Sequence, residues 1–422
     1  MSIKRVNGVA LLCAVLVLLG CVPKPSDDDK RVVLASYRTQ AYLLYSDAFA
    51  ASEALYAALN TLVDRPSAAS LAAARQAGSA ARVPYSQTEA LRFGHWFVDQ
   101  WEEKINRWPV DEGFIDYVDE RYRASSSNAW AHANIIAAEH IDVRGRLVPL
   151  PYMVHRQLTM LEMESGVESI VASGFHAIEF MLWGQDVSSE QPLSGQRPWS
   201  DFAYGAACSD GAITGVDESH CRKRREFLLT LALQLRSTLL EMREHWSAAP
   251  GSPGSRLLAG DVDVGLGRML LGMAAMSIEE LAGERIQAAL LSGSPEDEQD
   301  CFSDDTFQSL WYNALGVENV YYGRYRGSQD FTATLSLAVL ASRYQPALAA
   351  DLDAAFARSK QLFAEIRHRG VSGEQYFDQL IHDEPALLRS TITALQRQAQ
   401  LLEALAVQLA VPLSDPALQA AY

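Results

Sequence analysis

Apolar residues three and four apart recur along most of this chain, and that spacing fixes the class of fold. Between 222 and 246 they fall at Leu228, Leu231, Leu235, Leu239, Met242 and Trp246. At 3.6 residues per turn such a row is one stripe on one helix face. The C-terminal segment repeats it at Ile392, Leu395, Ala399, Leu402, Leu405 and Leu409. The same reading predicts long helices over 32–62, 87–107, 167–183, 264–291, 304–316 and 350–369. Alanine, the best helix former, is abundant throughout. Strand-like alternation is scarce, apart from a short hairpin expected over 141–151 with Arg144-Gly145 at its turn. Polar stretches at 184–197, 208–220, 248–260 and 292–305 interrupt the helices. A one-striped helix must bury its stripe on another helix. The expected fold is therefore all-α: two helical-bundle-like halves, 32–204 and 221–422, joined by a linker at 205–220.

The N-terminus carries an address. Lys4 and Arg5 precede an apolar run over 9–19, too short and wrongly flanked for a stable membrane span. The run ends in Leu18-Leu19-Gly20-Cys21, which resembles a bacterial lipobox. On that reading 1–20 is a signal peptide and Cys21 carries lipid. Several acyl chains hold a protein stably where one does not. Residues 21–31, with two Pro and three Asp, read as a polar tether. Val22 rather than Asp follows the Cys, so a periplasm-facing position on the outer membrane of the cell envelope is expected. The alternative is an ordinary secretory signal, with Cys21 a plain thiol. The 36 Lys and Arg against 52 Asp and Glu give a net charge of −16. Such a field repels phosphates, so nucleic acid is not an expected partner, whereas a cation is compatible. In an oxidising compartment Cys208 and Cys221, which bracket a polar loop, are expected to pair as a disulfide. Zinc ligation is the alternative, although the spacing matches no zinc pattern. Cys301 is a buried thiol or a competitor for one of them.

The chain lacks His-Glu-x-x-His, the Gly-x-Ser-x-Gly elbow and the Walker loop. None of its nine His has another three or four residues away. The passage that stands out is Gly174-Phe-His-Ala-Ile-Glu-Phe-Met-Leu-Trp-Gly-Gln-Asp186. It puts His176 and Glu179 on one face of an apolar helix. An imidazole and a carboxylate converging inside a bundle are suitable ligands for iron or zinc. Glu179 can equally orient the imidazole, or the two can form a satisfied core pair.

Gly174-x-His176-x-x-Glu179 in this setting resembles the signature of the imelysin-like family. Further segments resemble that family in the same order: Asn128 to Asn134, Gly195 to Pro198 before Asp201-Phe202, Cys221 to Arg225, Gly283 to Arg285, Cys301 to Thr306, and Tyr322 to Tyr325. The resemblance covers roughly residues 35–410. It implies an exported, often lipidated, all-helical protein of two bundle-like halves with a cleft between them, and His176 and Glu179 as site residues. The family carries a peptidase name from an early member, while other members are linked to iron regulation and uptake. The shared site resembles no established peptidase site. This chain departs from the pattern in two places. Asp305 stands where Asn is expected, and Gln299-Asp300 precedes Cys301 where Glu-His-Ser is more usual, which removes a potential His ligand.

Two ligands do not hold a transition metal tightly. Glu89 is the expected third, unless it only pairs with Arg92 on the surface, a contact worth well under ~1 kcal/mol. Glu284 and Arg285 are expected to face the first half across the cleft. Arg197 and Trp199 line its entrance or simply pack. Asp304 and Asp305 are expected to cap the next helix. Trp96, Trp101 and Trp108 are expected in the core, and the acidic run 296–300 in a solvated loop. The leading functional expectation is a membrane-anchored binder of a metal ion or metal chelate, serving iron acquisition with envelope iron-uptake proteins. The alternatives are a metal-dependent peptidase and an adaptor in which the His-Glu pair is structural.

Overall fold

The computed structural model describes residues 24–120, 122, 130–143, 145–153, 158–161, 166–167, 169–186, 194–294 and 297–413. The lipobox-like segment ending at Cys21, the start of the 128–134 segment, Arg144 and Glu296 lie outside the described residues. The main helices are α1 (Asp27–Asp64), α2 (Ala68–Ser86), α3 (Trp96–Ile105), α4 (Gly174–Trp183), α5 (Glu218–His245), α6 (Val262–Ala275), α7 (Thr306–Tyr322), α8 (Pro346–Ser372) and α9 (Pro385–Leu409). A π-helical stretch, Met276–Gln287, continues α6. Strands are few: β1 (His140–Val143) pairs antiparallel with β2 (Arg146–Pro149) around Gly145, whose φ is +83°. No helix among the described residues is long and apolar enough to cross a membrane.

The helices form two groups. α1 packs on α2 and α5, and α4 packs on α2 and α5. The π-helical stretch, α6 and α8 all pack on α9. α2 meets α7 and α1 meets α6, so one continuous apolar core runs through both groups. The change of group comes after α5, not at 205–220. The stripe Leu228, Leu231, Leu235 and Leu239 is buried where α5 lies back along α1, which places this helix with the first group. The 205–220 segment instead forms a small hairpin, Ser209–Asp210 with Ile213–Thr214, closed by a Cys208–Cys221 disulfide with a Cα separation of 5.9 Å. Cys301 is a buried thiol.

Several boundaries differ from the expected ones, each for a local reason. Residues 27–31 are not tether but the first turn of α1. Ser26 caps it through the Asp29 N–H, and Asp27, Asp28 and Asp29 sit at the positive helix end. The helix expected over 167–183 begins only at Gly174, because φ of +78° there cannot continue a preceding helix. The helix expected over 87–107 is a short 3₁₀ turn, Glu89–Leu91, followed by α3. Between them Gly94 packs so tightly that a Cβ would lie 2.2 Å from the Arg268 carbonyl oxygen. Helix α2 forms where small residues give no marked apolar stripe and Pro84 lies within the last turn.

Candidate metal centre

The centre is built on α4, which is buried along its whole length. Its first residue, Gly174, sits in the left-handed region, and a Cβ there would come 2.2 Å from the Ile105 carbonyl oxygen. Only glycine lets α4 start at this point against α3. One turn on, His176 and Glu179 share a face, with His176 Nδ1 3.5 Å from Glu179 Oε2. Asp300 completes the group, with its Oδ1 3.9 Å from the same Nδ1. Ligand atoms of the three residues lie within 4.8 Å of one another. Their exposures are 1%, 6% and 0%.

The carboxylates are held in place from the turn that precedes α7. Ser303 donates to Glu179 Oε1 from its backbone N–H (3.0 Å) and its hydroxyl (2.6 Å). The Asp300 N–H donates to Thr306 Oγ1 at 2.9 Å. Asp300 Oδ2 has no hydrogen-bond partner among the described residues. At the centre of the three stands Arg82, from α2. Its Nη2 donates to His176 Nδ1 at 2.9 Å, to Glu179 Oε2 at 3.3 Å and to Asp300 Oδ1. Its Nη1 donates to Asn106 Oδ1 at 2.6 Å. Burial, then the Arg82 and Arg285 charges, drive the His176 imidazole well below its ordinary pKa, so it is neutral and keeps a lone pair. Burial pushes Glu179 up, against the opposing pull of Arg82 and Ser303. Burial also works against the Arg82 charge, but Asp300 and Glu179 more than offset it.

His176 faces a cavity of about 320 Å³ that Asn106, Trp108, Arg92, Glu284 and Arg285 also line. The cavity separates α3 from the π-helical stretch, a form of helix that recurs at functional sites. Arg92 crosses it to Glu280 (2.8 Å) and also holds Asp99 (2.7 Å). Glu89, expected beside His176 and Glu179, is not in this group of three. Its Oε2 pairs with Arg285, which reaches back from the second helix group, and its pairing with Arg92 is replaced by this contact. Arg197 is remote in its contacts: it is wholly buried against Asp116 (2.7 Å) and Asp201 (3.0 Å), with Arg224 on the other side of Asp116. Burial opposes ionisation of Asp116, yet Arg224 and Arg197 hold it at about 2.

The acidic run is not a solvated loop. Glu298, Gln299 and Asp300 are all buried, because the chain turns inward over α4 before α7. Both Glu298 carboxylate oxygens lack a hydrogen-bond partner among the described residues. Burial, then Asp304, Asp378 and Asp300, push that group well up. Asp304 and Asp305 do not cap α7 with their side chains. The Asp305 carboxylate takes the Ser79 hydroxyl, and Asp304 is buried at φ +58°. Trp96 is exposed rather than in the core.

The residues that sequence reasoning missed are Arg82 and Asp300. A signal for the first was present: Arg75 and Arg82 stand seven apart, on one helix face of an Ala-rich stretch. Both turn inward, Arg75 onto the carbonyls of Leu182 and Arg197.

The profile of the family described as Imelysin matches residues 41–407. The chain belongs to the imelysin family. Among curated proteins it is similar to iron-regulated protein A of Synechococcus elongatus, 25% identical over 320 residues, which are 75% of this chain and 70% of that protein. Among solved structures it resembles one from Parabacteroides distasonis described as an iron-regulated protein A precursor. The TM-score is 0.63 at 18% identity, covering 92% of this chain and 96% of that one. An imelysin-like protein from Psychrobacter arcticum gives a TM-score of 0.62 at 15% identity, over 93% and 98% of the two chains. These two likenesses show the imelysin fold.

Proposed function

We propose that this member of the imelysin family is a cell-envelope lipoprotein, anchored through Cys21 on the periplasmic face of the outer membrane. In this reading it binds iron through His176, Glu179 and Asp300 as part of iron acquisition, alongside envelope iron-uptake proteins. One observation carries the reading: three buried side chains of ligand type bring their donor atoms within 4.8 Å of one another beside a cavity. The donor set suits the ion. An imidazole kept neutral by burial and two carboxylates form a nitrogen-and-oxygen set, the kind that takes iron, manganese or zinc rather than a soft ion. Asp300 Oδ2, buried without a partner, is an oxygen in search of a cation. Three protein ligands leave positions for water or for a small chelator entering from the cavity. The name of the cyanobacterial relative points the same way.

The test is titration of the purified protein with Fe²⁺ under anaerobic conditions, alongside the His176→Ala/Glu179→Ala double variant. The expected result is one tight site per chain, weakened about 100-fold or more in the variant. Equal affinity of the two proteins would remove the site from this place.

A further inference from the structure

We infer that Arg82 is the centre's own competitor: its guanidinium holds the place of the cation, and a cation must displace it to bind. The inference rests on the metal reading above and deepens it. Arg82 Nη2 contacts a donor atom of each of the three residues: His176 Nδ1, Glu179 Oε2 and Asp300 Oδ1. An ion touching those atoms would lie against a guanidinium nitrogen, and two cations do not share so small a buried space. The guanidinium cannot shed its charge to make room, because arginine stays protonated in proteins. It must move.

The structure also shows where it is tethered. Nη1 is already bonded to Asn106 Oδ1, on the wall of the cavity. From Asn106 a chain of contacts leads across that cavity. Asn106 Nδ2 donates to Glu102 Oε1 at 3.1 Å, and Glu102 Oε2 lies 3.4 Å from Arg92. Arg92 donates to Glu280 Oε1, and Glu280 Oε2 receives Arg285 Nε at 3.1 Å. Arg285 ends on Glu89. Displacing Arg82 toward Asn106 therefore adds positive charge at one end of the ion-pair chain that joins the two helix groups. Binding at the centre and the state of the cross-cavity pairs are linked, and such linkage is reciprocal.

The experiment uses Co²⁺ as the probe, because its visible spectrum reports the ligand set as well as the affinity. The full-length wild-type protein, Arg82→Met, Arg82→Lys and His176→Ala are titrated at pH 8, with folding checked by circular dichroism. Arg82→Met is expected to bind Co²⁺ about tenfold tighter than wild type or more, with the same spectrum. Arg82→Lys is expected to fall between the two, because a buried lysine holds its charge less firmly and on a compact ammonium that cannot contact all three partners as the guanidinium does. If Arg82→Met does not fold, Arg82→Gln takes its place with the same expectation. Binding by the uncharged variant when wild type does not bind measurably would also support the inference. Wild-type binding that depends on His176 but is not strengthened by removing Arg82 would overturn it, and would leave the metal reading standing. No binding by any folded variant would end both.

Discussion

At the residue scale, the centre depends on a few positions with no tolerance for their neighbours' chemistry. Gly174 is one. Its φ of +78° and the 2.2 Å approach of a Cβ to the Ile105 carbonyl leave no room for any side chain. Gly174→Ala should destabilise the fold by about 2–4 kcal/mol, combining backbone strain with a displaced helix. Urea unfolding measures this, and wild-type stability in the variant would refute the reading. Asp304 is another. Burial, then the Asp186, Asp378 and Asp305 charges, raise its carboxyl to about 8 from an ordinary 3.8. The folded state then keeps a proton that the unfolded chain has lost, so stability falls as pH climbs from about 4 to about 8. Asp304→Asn removes the penalty and suits the left-handed backbone. Its gain in Tm should be larger at pH 8 than at pH 5, and an equal gain at both would count against the assignment. Of the residues at this scale, His176 and Glu179 were legible because i,i+3 spacing on an apolar helix is local information. Asp300 was not, and Arg82 only through its seven-residue spacing from Arg75. A charged residue reads as solvated until the partner that buries it is known, and both partners come from distant segments.

At the scale of elements, the long stripes of α1, α5 and α9 announced themselves, because each carries enough turns to show its period. The failures lie where one backbone position overrules the pattern. Gly174 forbids the helix that the apolar run before it suggests. The packing of Gly94 against α6 splits another. α2 escaped notice because small residues give its stripe little contrast and Pro84 lies within its last turn, yet it carries Arg82 into the centre. The disulfide-closed hairpin at 208–221 is an element of a different kind. It fixes the start of α5, beside Asp210, which Arg224 grips at 2.5 Å. A loop of 13 residues closed by a bridge stabilises by about 3 kcal/mol in the chain-entropy account. Cys208→Ser/Cys221→Ser should therefore lower the stability by that amount, and reductant should destabilise the wild type but not the variant. An unchanged wild type under reductant that is shown to have cleaved the bridge would contradict this.

At the scale of the whole molecule, the two helix groups are joined by apolar core on one side and by ion pairs across a cavity on the other. All-α architecture followed from periodicity alone, because helices with one apolar stripe have few ways to pack. The place where the groups divide did not, since α5 follows the linker in sequence but lies with the first group in space. Arg92, Glu280 and Arg285 line that cavity and are joined by ion pairs, which Arg285 extends to Glu89. His176, Glu179 and Asp300 meet beside it, two from one helix and one from a turn more than a hundred residues on. The proposed metal lies at this meeting point. The most direct measurement is anomalous diffraction at the iron edge from crystals of the iron-loaded protein. The expected result is a single strong peak bonded to His176, Glu179 and Asp300, with the Arg82 guanidinium withdrawn toward Asn106. A loaded crystal with no peak there, and Arg82 still seated among the three, would contradict it.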